Sequence, residues 1–327
     1  GQMKLALHLQ QELIELGLQD VNVTKHAVVT AYLPSNHPDL TQTIGFISHL
    51  DTSPQCSGKN VQPEVIENYR GGDIALGLGE EFISPVYYPF LHQLIGKTLI
   101  VTDGTTLLGA DDKAGIAEIL TVAEELLKGD IPHGKVCISF TTDEEVGSGA
   151  CHMDLERFGA PYAYTVDGGA EGEIQFENFN AASAEFAIHG VNVHPGEAKD
   201  IMVNSMKIAM ELQSMLPEQE APEHTEGYEG FFHLMELNGS VEETTMGYLI
   251  REFDAEKYEA RKALMQEITA SLNKKYGEGT VELNLKDSYR NMREKIEPCM
   301  QLIDFAVQAC KDADVTPDIA PIRGGTD

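Results

Sequence analysis

The sequence predicts an α/β fold: a mixed, mostly parallel sheet flanked by helices, with an inserted α+β domain. Three observations predict it. Short apolar runs of strand length alternate with amphipathic stretches of helix length up to about Val166. The texture changes near Asn180, where alternating strands cluster without helices between them. A helical pattern returns at Pro298. Strands alternating with helices indicate parallel pairing, and runs of strands indicate an antiparallel layer.

The elements follow in order. Residues 3–18 carry a leucine face, Leu5, Leu9, Leu13 and Leu16, and read as a helix. Val21–Val23 and Ala27–Leu33 read as paired strands, and Thr43–Ser48 as a buried strand feeding into His49. Gln55–Pro89 is long, Gly-rich and acidic and reads as irregular structure, of the length that is usually functional or mobile. Lys97–Thr102 is the next strand, followed by a helix from the Gly109-Ala110-Asp111 turn to Lys128. Val136–Phe140 and Tyr162–Val166 complete the first set of strands. Ser183–His189 alternates like a half-wet strand, and Val203–Leu216 is a helix stopped by Pro217. Phe231–Leu237 and Gly247–Phe253 read as antiparallel neighbours. Asp254 caps a helix that Gly277 closes, and Val281–Leu285 is a strand. These patterns divide the chain into a discontinuous first domain, 1–180 with 292–327, and an insertion, 181–291.

Composition narrows the function classes. The 23 Lys and Arg against 53 Asp and Glu leave a net charge of −30, which excludes a nucleic-acid partner and docking on an anionic membrane. No apolar run approaches membrane-spanning length. The 5 cysteines show no C-x-x-C spacing, and with no signal peptide in view the expected home is the cytoplasm. The chain opens at Gly1 straight into a helical pattern and stops at Asp327 directly after a Gly-Gly-Thr turn, so it reads as cut at both ends.

Chemistry-bearing residues sit where the strand-like runs end: His49 with Asp51, Asp111 with Asp112, Glu144 with Glu145, and Asp167. In an open α/β sheet, ligands bind beyond the carboxyl ends of the strands, so these residues should converge. One imidazole among several carboxylates is a ligand set for zinc, or less specifically cobalt or manganese. The i, i+2 spacing of His49 and Asp51 puts both on one face of extended chain, where the carboxylate can steer the imidazole. Glu144 and Glu145 point apart, so one can ligate while the other serves as a base. Each group alone has a bland reading, as a solvated loop, a helix cap or a plain turn. Their recurrence at successive strand ends is what argues for a site.

Ser48-His49-Leu50-Asp51-Thr52, Gly109-Ala110-Asp111-Asp112-Lys113-Ala114-Gly115, Asp143-Glu144-Glu145-Val146-Gly147 and Val166-Asp167-Gly168-Gly169 together resemble the ordered signature of the co-catalytic zinc peptidases. That clan includes carboxypeptidase G and the aminoacylases. Asp51-Thr52-Ser53-Pro54, Thr225-Glu226-Gly227-Tyr228-Glu229-Gly230-Phe231, Asn192-Val193-His194-Pro195-Gly196 and Ile322-Arg323-Gly324-Gly325-Thr326-Asp327 narrow the resemblance to its tripeptide-aminopeptidase branch. The resemblance implies a two-zinc site in which His49 and Asp167 bind one ion, Glu145 the other, and Asp111 bridges them. It implies Glu144 as general base and Asp51 as the group that steers His49. His194, Arg251 and Arg323 would meet a small peptide substrate, and the inserted domain would form a homodimer. It also implies a non-proline cis bond between Asp111 and Asp112. The family's remaining ligand, a histidine, falls beyond Asp327, so the second metal site is expected to be incomplete in this chain. A related dipeptidase or N-acyl amino acid amidohydrolase is the nearest alternative, and an incomplete site would also fit a binding protein.

Overall fold

The computed structural model describes residues 1–79 and 81–326, and it divides into two units, Gly1–Gly169 and Ala170–Gly325. The last residue of the Ile322–Asp327 motif lies outside the described residues.

The first unit opens with α1 (Gln2–Leu16), β1 (Gln19–Val23), β2 (Val29–Leu33) and β3 (Thr43–His49). It continues through β4 (Pro63–Ile66), β5 (Ile74–Leu76), β6 (Glu81–Ile83), β7 (Leu99–Thr102) and α2 (Ala110–Leu127). It closes with β8 (Lys135–Thr141), α3 (Leu155–Phe158) and β9 (Ala163–Thr165). The main sheet runs β1-β2-β8-β3-β9, with β1, β2 and β8 antiparallel and β8, β3 and β9 parallel. Ala6, Leu9 and Leu13 of α1 and Ile116, Ile119 and Ala123 of α2 pack with Val29, Ala31, Ile138 and Phe140 in one core. Burying each such side chain is worth roughly 1.5–3 kcal/mol, so the leucine spacing of α1 decides which face lies on the sheet.

Two expectations change here. Gln55–Pro89 is not irregular throughout, since it holds β4, β5 and β6. These strands are only three or four residues long, are mostly exposed, and lie among left-handed glycines such as Gly71 and Gly79, so no period-2 pattern builds up. Nor does β7 join the main sheet. It pairs antiparallel with β4 over a small separate core of Tyr69, Ile74, Leu91 and Val101.

The second unit contains β10 (Glu173–Ile174), β11 (Asn180–His189), α4 (Ser205–Met215), β12 (Phe231–Gly239) and β13 (Glu243–Glu252). After these come α5 (Ala255–Tyr276), β14 (Val281–Tyr289), α6 (Arg293–Ile296), α7 (Gln301–Asp312) and β15 (Asp318–Ile319). Its four-stranded sheet is antiparallel, in the order β12-β13-β11-β14, and β10 pairs parallel with β15 in a separate ladder. Both helices α4 and α5 contribute to its core, with Ile208, Leu212, Tyr258, Met265 and Ile268 against Phe186, Ile188, Tyr248 and Ile250. The expected caps hold: Asp254 accepts from the Lys257 amide at 2.8 Å, and α5 runs to Tyr276 with Gly277 behind it.

Candidate active site

Register places the site. In the parallel ladder His49 stands opposite Thr141, and Ile47 opposite Thr165, so β3, β8 and β9 end nearly flush. The residues that follow are Leu50-Asp51, Thr142 through Glu145, and Val166-Asp167. Three of the four predicted groups therefore meet because their strands are parallel neighbours. The fourth arrives by another route, because Asp111 stands at the start of α2 and not at a strand end of the main sheet.

His49 is the centre of the cluster, with its ring buried. Its Nε2 lies 2.9 Å from Asp111 Oδ1, 3.8 Å from Asp167 Oδ2 and 4.0 Å from Glu144 Oε2. Its Nδ1 lies 3.1 Å from the Asp51 carbonyl oxygen and 3.5 Å from Asp51 Oδ1. Asp51 thus faces the ring nitrogen turned away from the cluster, as the i, i+2 spacing predicts. Its carboxylate does a second job that the sequence did not announce. It accepts the backbone N–H groups of Glu144 and Glu145 at 3.2 and 3.1 Å, tying the glutamate turn to the histidine. Burial alone would lower the His49 pKa, but the carboxylates of Asp167, Asp112, Asp111 and Asp51 outweigh it and hold the imidazole above its ordinary value.

Adjacent aspartates at the start of α2 divide their labour. Asp111 is 70% exposed at its side chain, whereas Asp112 is 3% exposed as a residue. The peptide bond between them is cis, as the resemblance implied, and neither has helical dihedrals, so the regular helix begins at Lys113. Asp112 accepts the Ser48 hydroxyl and, at 3.0 Å, the His49 N–H. It therefore fixes the end of β3 to the start of α2. Burial raises its pKa against the lowering effect of those hydrogen bonds. Gly115 permits this closeness: a Cβ there would stand 1.9 Å from the Val166 carbonyl oxygen and 2.6 Å from Asp112 Oδ1. Ser48, Asp112 and Gly115 hold the site together without belonging to the donor set. Their signal lies in the motifs, where Ser48 directly precedes the histidine and Asp112 follows the exposed aspartate.

Two overlapping groups of donor atoms lie within 4.8 Å of one another: His49, Glu144 and Asp167, and His49, Asp111 and Glu145. Such a concentration of carboxylates around one imidazole calls for positive charge. The donor types are those that hold divalent metal ions, so the residues present fit such a centre. Lys113 Nζ, nearby in sequence, is also buried, and burial holds its pKa below the ordinary lysine value.

The remaining predicted residues lie in the second unit. His194 is exposed, and its Nδ1 accepts from the Gly196 N–H at 3.2 Å. Arg251 donates to the Ile250 carbonyl at 3.0 Å and lies 5.4 Å from the Tyr289 ring centroid. Arg323 donates to the carbonyls of Gly227 and Glu229 at 2.8 and 2.9 Å and to Thr225 Oγ1 at 3.0 Å. It also stacks over Phe179 and Phe231. Its guanidinium is thus the clasp of the 225–229 turn.

Comparison with known proteins agrees with this architecture. The family model for the peptidase dimerisation domain matches residues 176–280. Peptidase T from Clostridium novyi is 55% identical, over all of this chain and 81% of its own length. The chain belongs to the peptidase T family. The aminopeptidase PepT from Bacillus cereus superposes with a TM-score of 0.78 at 25% identity, covering 98% of this chain and 79% of its own. A dinuclear metal-binding peptidase of the M20 family from Bacillus subtilis shares the fold, with a TM-score of 0.64 at 12% identity, over 100% of this chain and 78% of its own. Among the described residues no helix is long and apolar enough to cross a membrane.

Proposed function

We infer that the chain is a metal-dependent tripeptide aminopeptidase, a hydrolase that releases the N-terminal residue. The observation that carries this is the gathering of His49, Asp111, Glu144, Glu145 and Asp167 at one sheet end, in a chain of the peptidase T family. His49, Asp111, Glu145 and Asp167 would supply ligands to two zinc-like ions in the complete protein, with cobalt or manganese as substitutes. Bound there, such ions lower the pKa of water to about 7 and polarise a scissile carbonyl. Glu144 is the general base: its carboxylate takes a proton from the attacking water and returns it to the leaving amine. Asp51 steers His49 through the Nδ1 side and fixes the turn that aims Glu144. His194, Arg251 and Arg323 are assigned to the peptide, Arg323 by shaping the 225–229 turn as well as by charge.

The same reading keeps 292–327 with the metal-binding domain, and it places the protein in the cytoplasm, with its cysteines free. It pairs the dimerisation domain with a second copy. Strand β12 is an edge of its sheet, and it exposes Met235 and Leu237, while α4 exposes Met206 and Met210. Sedimentation that finds only monomer at micromolar concentration would refute that pairing.

The decisive assay incubates purified protein with zinc and offers a panel of tripeptides, dipeptides and N-acyl amino acids. Release of the first residue from tripeptides alone is expected. Faster cleavage of the N-acyl substrates would make the protein an amidohydrolase instead.

A further inference from the structure

The turn that carries Glu144 and Glu145 has a second anchor besides Asp51. After β8 the chain passes through Asp143 at φ +62°, makes one short helical turn over Glu144–Val146, and leaves through Gly147 at φ +74°. Two left-handed residues therefore bracket the turn. Glycine is the ordinary choice for such a backbone, as at Gly147. At 143 a side chain is present, and aspartate is one of the few that tolerates the conformation. The Asp143 carbonyl accepts the Ser148 N–H at 2.9 Å and closes the turn.

The side chain of Asp143 is engaged as well. Its Oδ1 accepts from Gln2 Nε2 on α1 at 2.6 Å, across 141 positions of sequence. Gln2 gains nothing polar besides: its Oε1 is buried and meets no donor among the described residues. A buried amide oxygen left unbonded is costly, so the bond to Asp143 is what accounts for the placement. The chain on either side of the turn is tied separately. Thr142 donates its hydroxyl to the His26 carbonyl at 3.1 Å, and the His152 ring stacks on the His26 ring at 3.9 Å, with 7° between their planes. Loss of the hold at Asp143 would loosen the turn and leave its flanks in place.

We propose that Asp143 is a positioning residue for Glu144 and Glu145. Its left-handed backbone and its bond to Gln2 fix the glutamate turn from the α1 side, as Asp51 fixes it from the histidine side. The proposal rests on the reading of Glu144 as base and Glu145 as metal ligand. Shape is the device, and the charge of Asp143 is not. Asparagine enters the left-handed region as aspartate does and offers Gln2 the same acceptor. Alanine loses both parts, and glycine loses only the bond.

The test uses the full-length protein and four variants, Asp143→Ala, Asp143→Gly, Asp143→Asn and Gln2→Ala. Turnover of a tripeptide with zinc is read per folded molecule, zinc affinity by competition with a chelating dye, and amide hydrogen exchange on the metal-free protein. Asp143→Ala should lose about tenfold or more in kcat with KM little changed, because a misaimed Glu144 fails in the chemical step. It should bind zinc about tenfold more weakly, since Glu145 shares the turn. Exchange across 143–148 should quicken about tenfold in this variant while exchange in β8 stays as it was. Asp143→Gly and Gln2→Ala should fall between Asp143→Ala and wild type in each reading, and Asp143→Asn should match wild type. An asparagine variant as impaired as Asp143→Ala overturns the proposal, because charge would then be the operative property. So does wild-type exchange across 143–148 in Asp143→Ala. So does a lowered melting temperature with turnover per folded molecule unchanged, which would mark a purely structural role. Should Asp143→Ala not fold, Asp143→Gly and Gln2→Ala carry the comparison. A wild type that takes up no zinc would end the two-metal reading, while hydrogen exchange still decides whether Asp143 holds the turn.

Discussion

The two units handle charge in opposite ways. In the second, each strongly buried ionic group meets its opposite. Glu252 is 3% exposed and accepts from Arg261 Nε at 2.9 Å, and the same guanidinium also reaches Glu220. Nearer the surface, Asp287, with 45% of its side chain exposed, accepts from Tyr258 at 2.7 Å and Lys262 at 3.0 Å, and those bonds hold its pKa below the usual carboxylate value. At the sheet end of the first unit, carboxylates face carboxylates around one histidine. Pairing of the first kind locks a domain together. Gathering of the second kind costs stability through like-charge repulsion, and the proposed function gives it a use in holding metal and moving protons. The contrast separates residues kept for folding from residues kept for chemistry, and it can be pushed from both sides.

The largest effect should come from the base. Glu144→Ala should cut turnover roughly 10²–10⁴-fold while leaving folding and metal content in place. A variant that keeps a tenth of wild-type turnover would move the base to another group. Next comes the folding side of the contrast. Arg261→Ala leaves Glu252 buried without its cation and should cost about 3 kcal/mol in denaturant unfolding. Activity per folded molecule should change far less than in Glu144→Ala. An unchanged midpoint would mean that Glu252 finds water or another donor when Arg261 is gone.

Much of this contrast was legible before any coordinates. The donor residues were marked by their position after strand-like runs, and parallel pairing of β3, β8 and β9 is why such ends meet. The helix from Asp254 to Gly277 was legible because cap and stop residues are local signals. What stayed hidden depends on long-range contact. Asp51 bonding the Glu144 and Glu145 amides, and Asp112 bonding Ser48 and His49, join segments about 60 to 90 residues apart, which no local pattern encodes. Strands β4, β5 and β6 were missed because each is too short to alternate. Arg323 as the clasp of the 225–229 turn was likewise invisible, since the sequence shows an arginine but not the carbonyls that surround it.

The smallest effect is the most telling, because its sign differs between the units. Asp111→Asn removes one negative charge from the cluster while nearly preserving shape. Asp111 lies 2.9 Å from His49 Nε2, so the exchange forfeits some attraction to that ring whenever the ring is protonated. Against this stands relief of repulsion from Glu145, which shares its donor group, and from the other carboxylates around His49. Above the His49 titration the imidazole is neutral and the charge attraction is gone, so repulsion outweighs what is left and the metal-free variant should be more stable than wild type, by on the order of 0.5 kcal/mol for so exposed a group. Zinc should reverse the order, because the wild type then gains a ligand that the amide replaces poorly. The counterpart in the second unit, Asp287→Asn, should destabilise with or without zinc, since Tyr258 and Lys262 lose a charged acceptor. Unfolding midpoints for the two variants, each with chelator and with zinc, taken as pH is raised until the metal-free difference from wild type levels off, give the values required. If Asp111→Asn destabilises the metal-free protein as Asp287→Asn does, the carboxylates of the first unit are held by pairing after all, and the distinction between the two units fails.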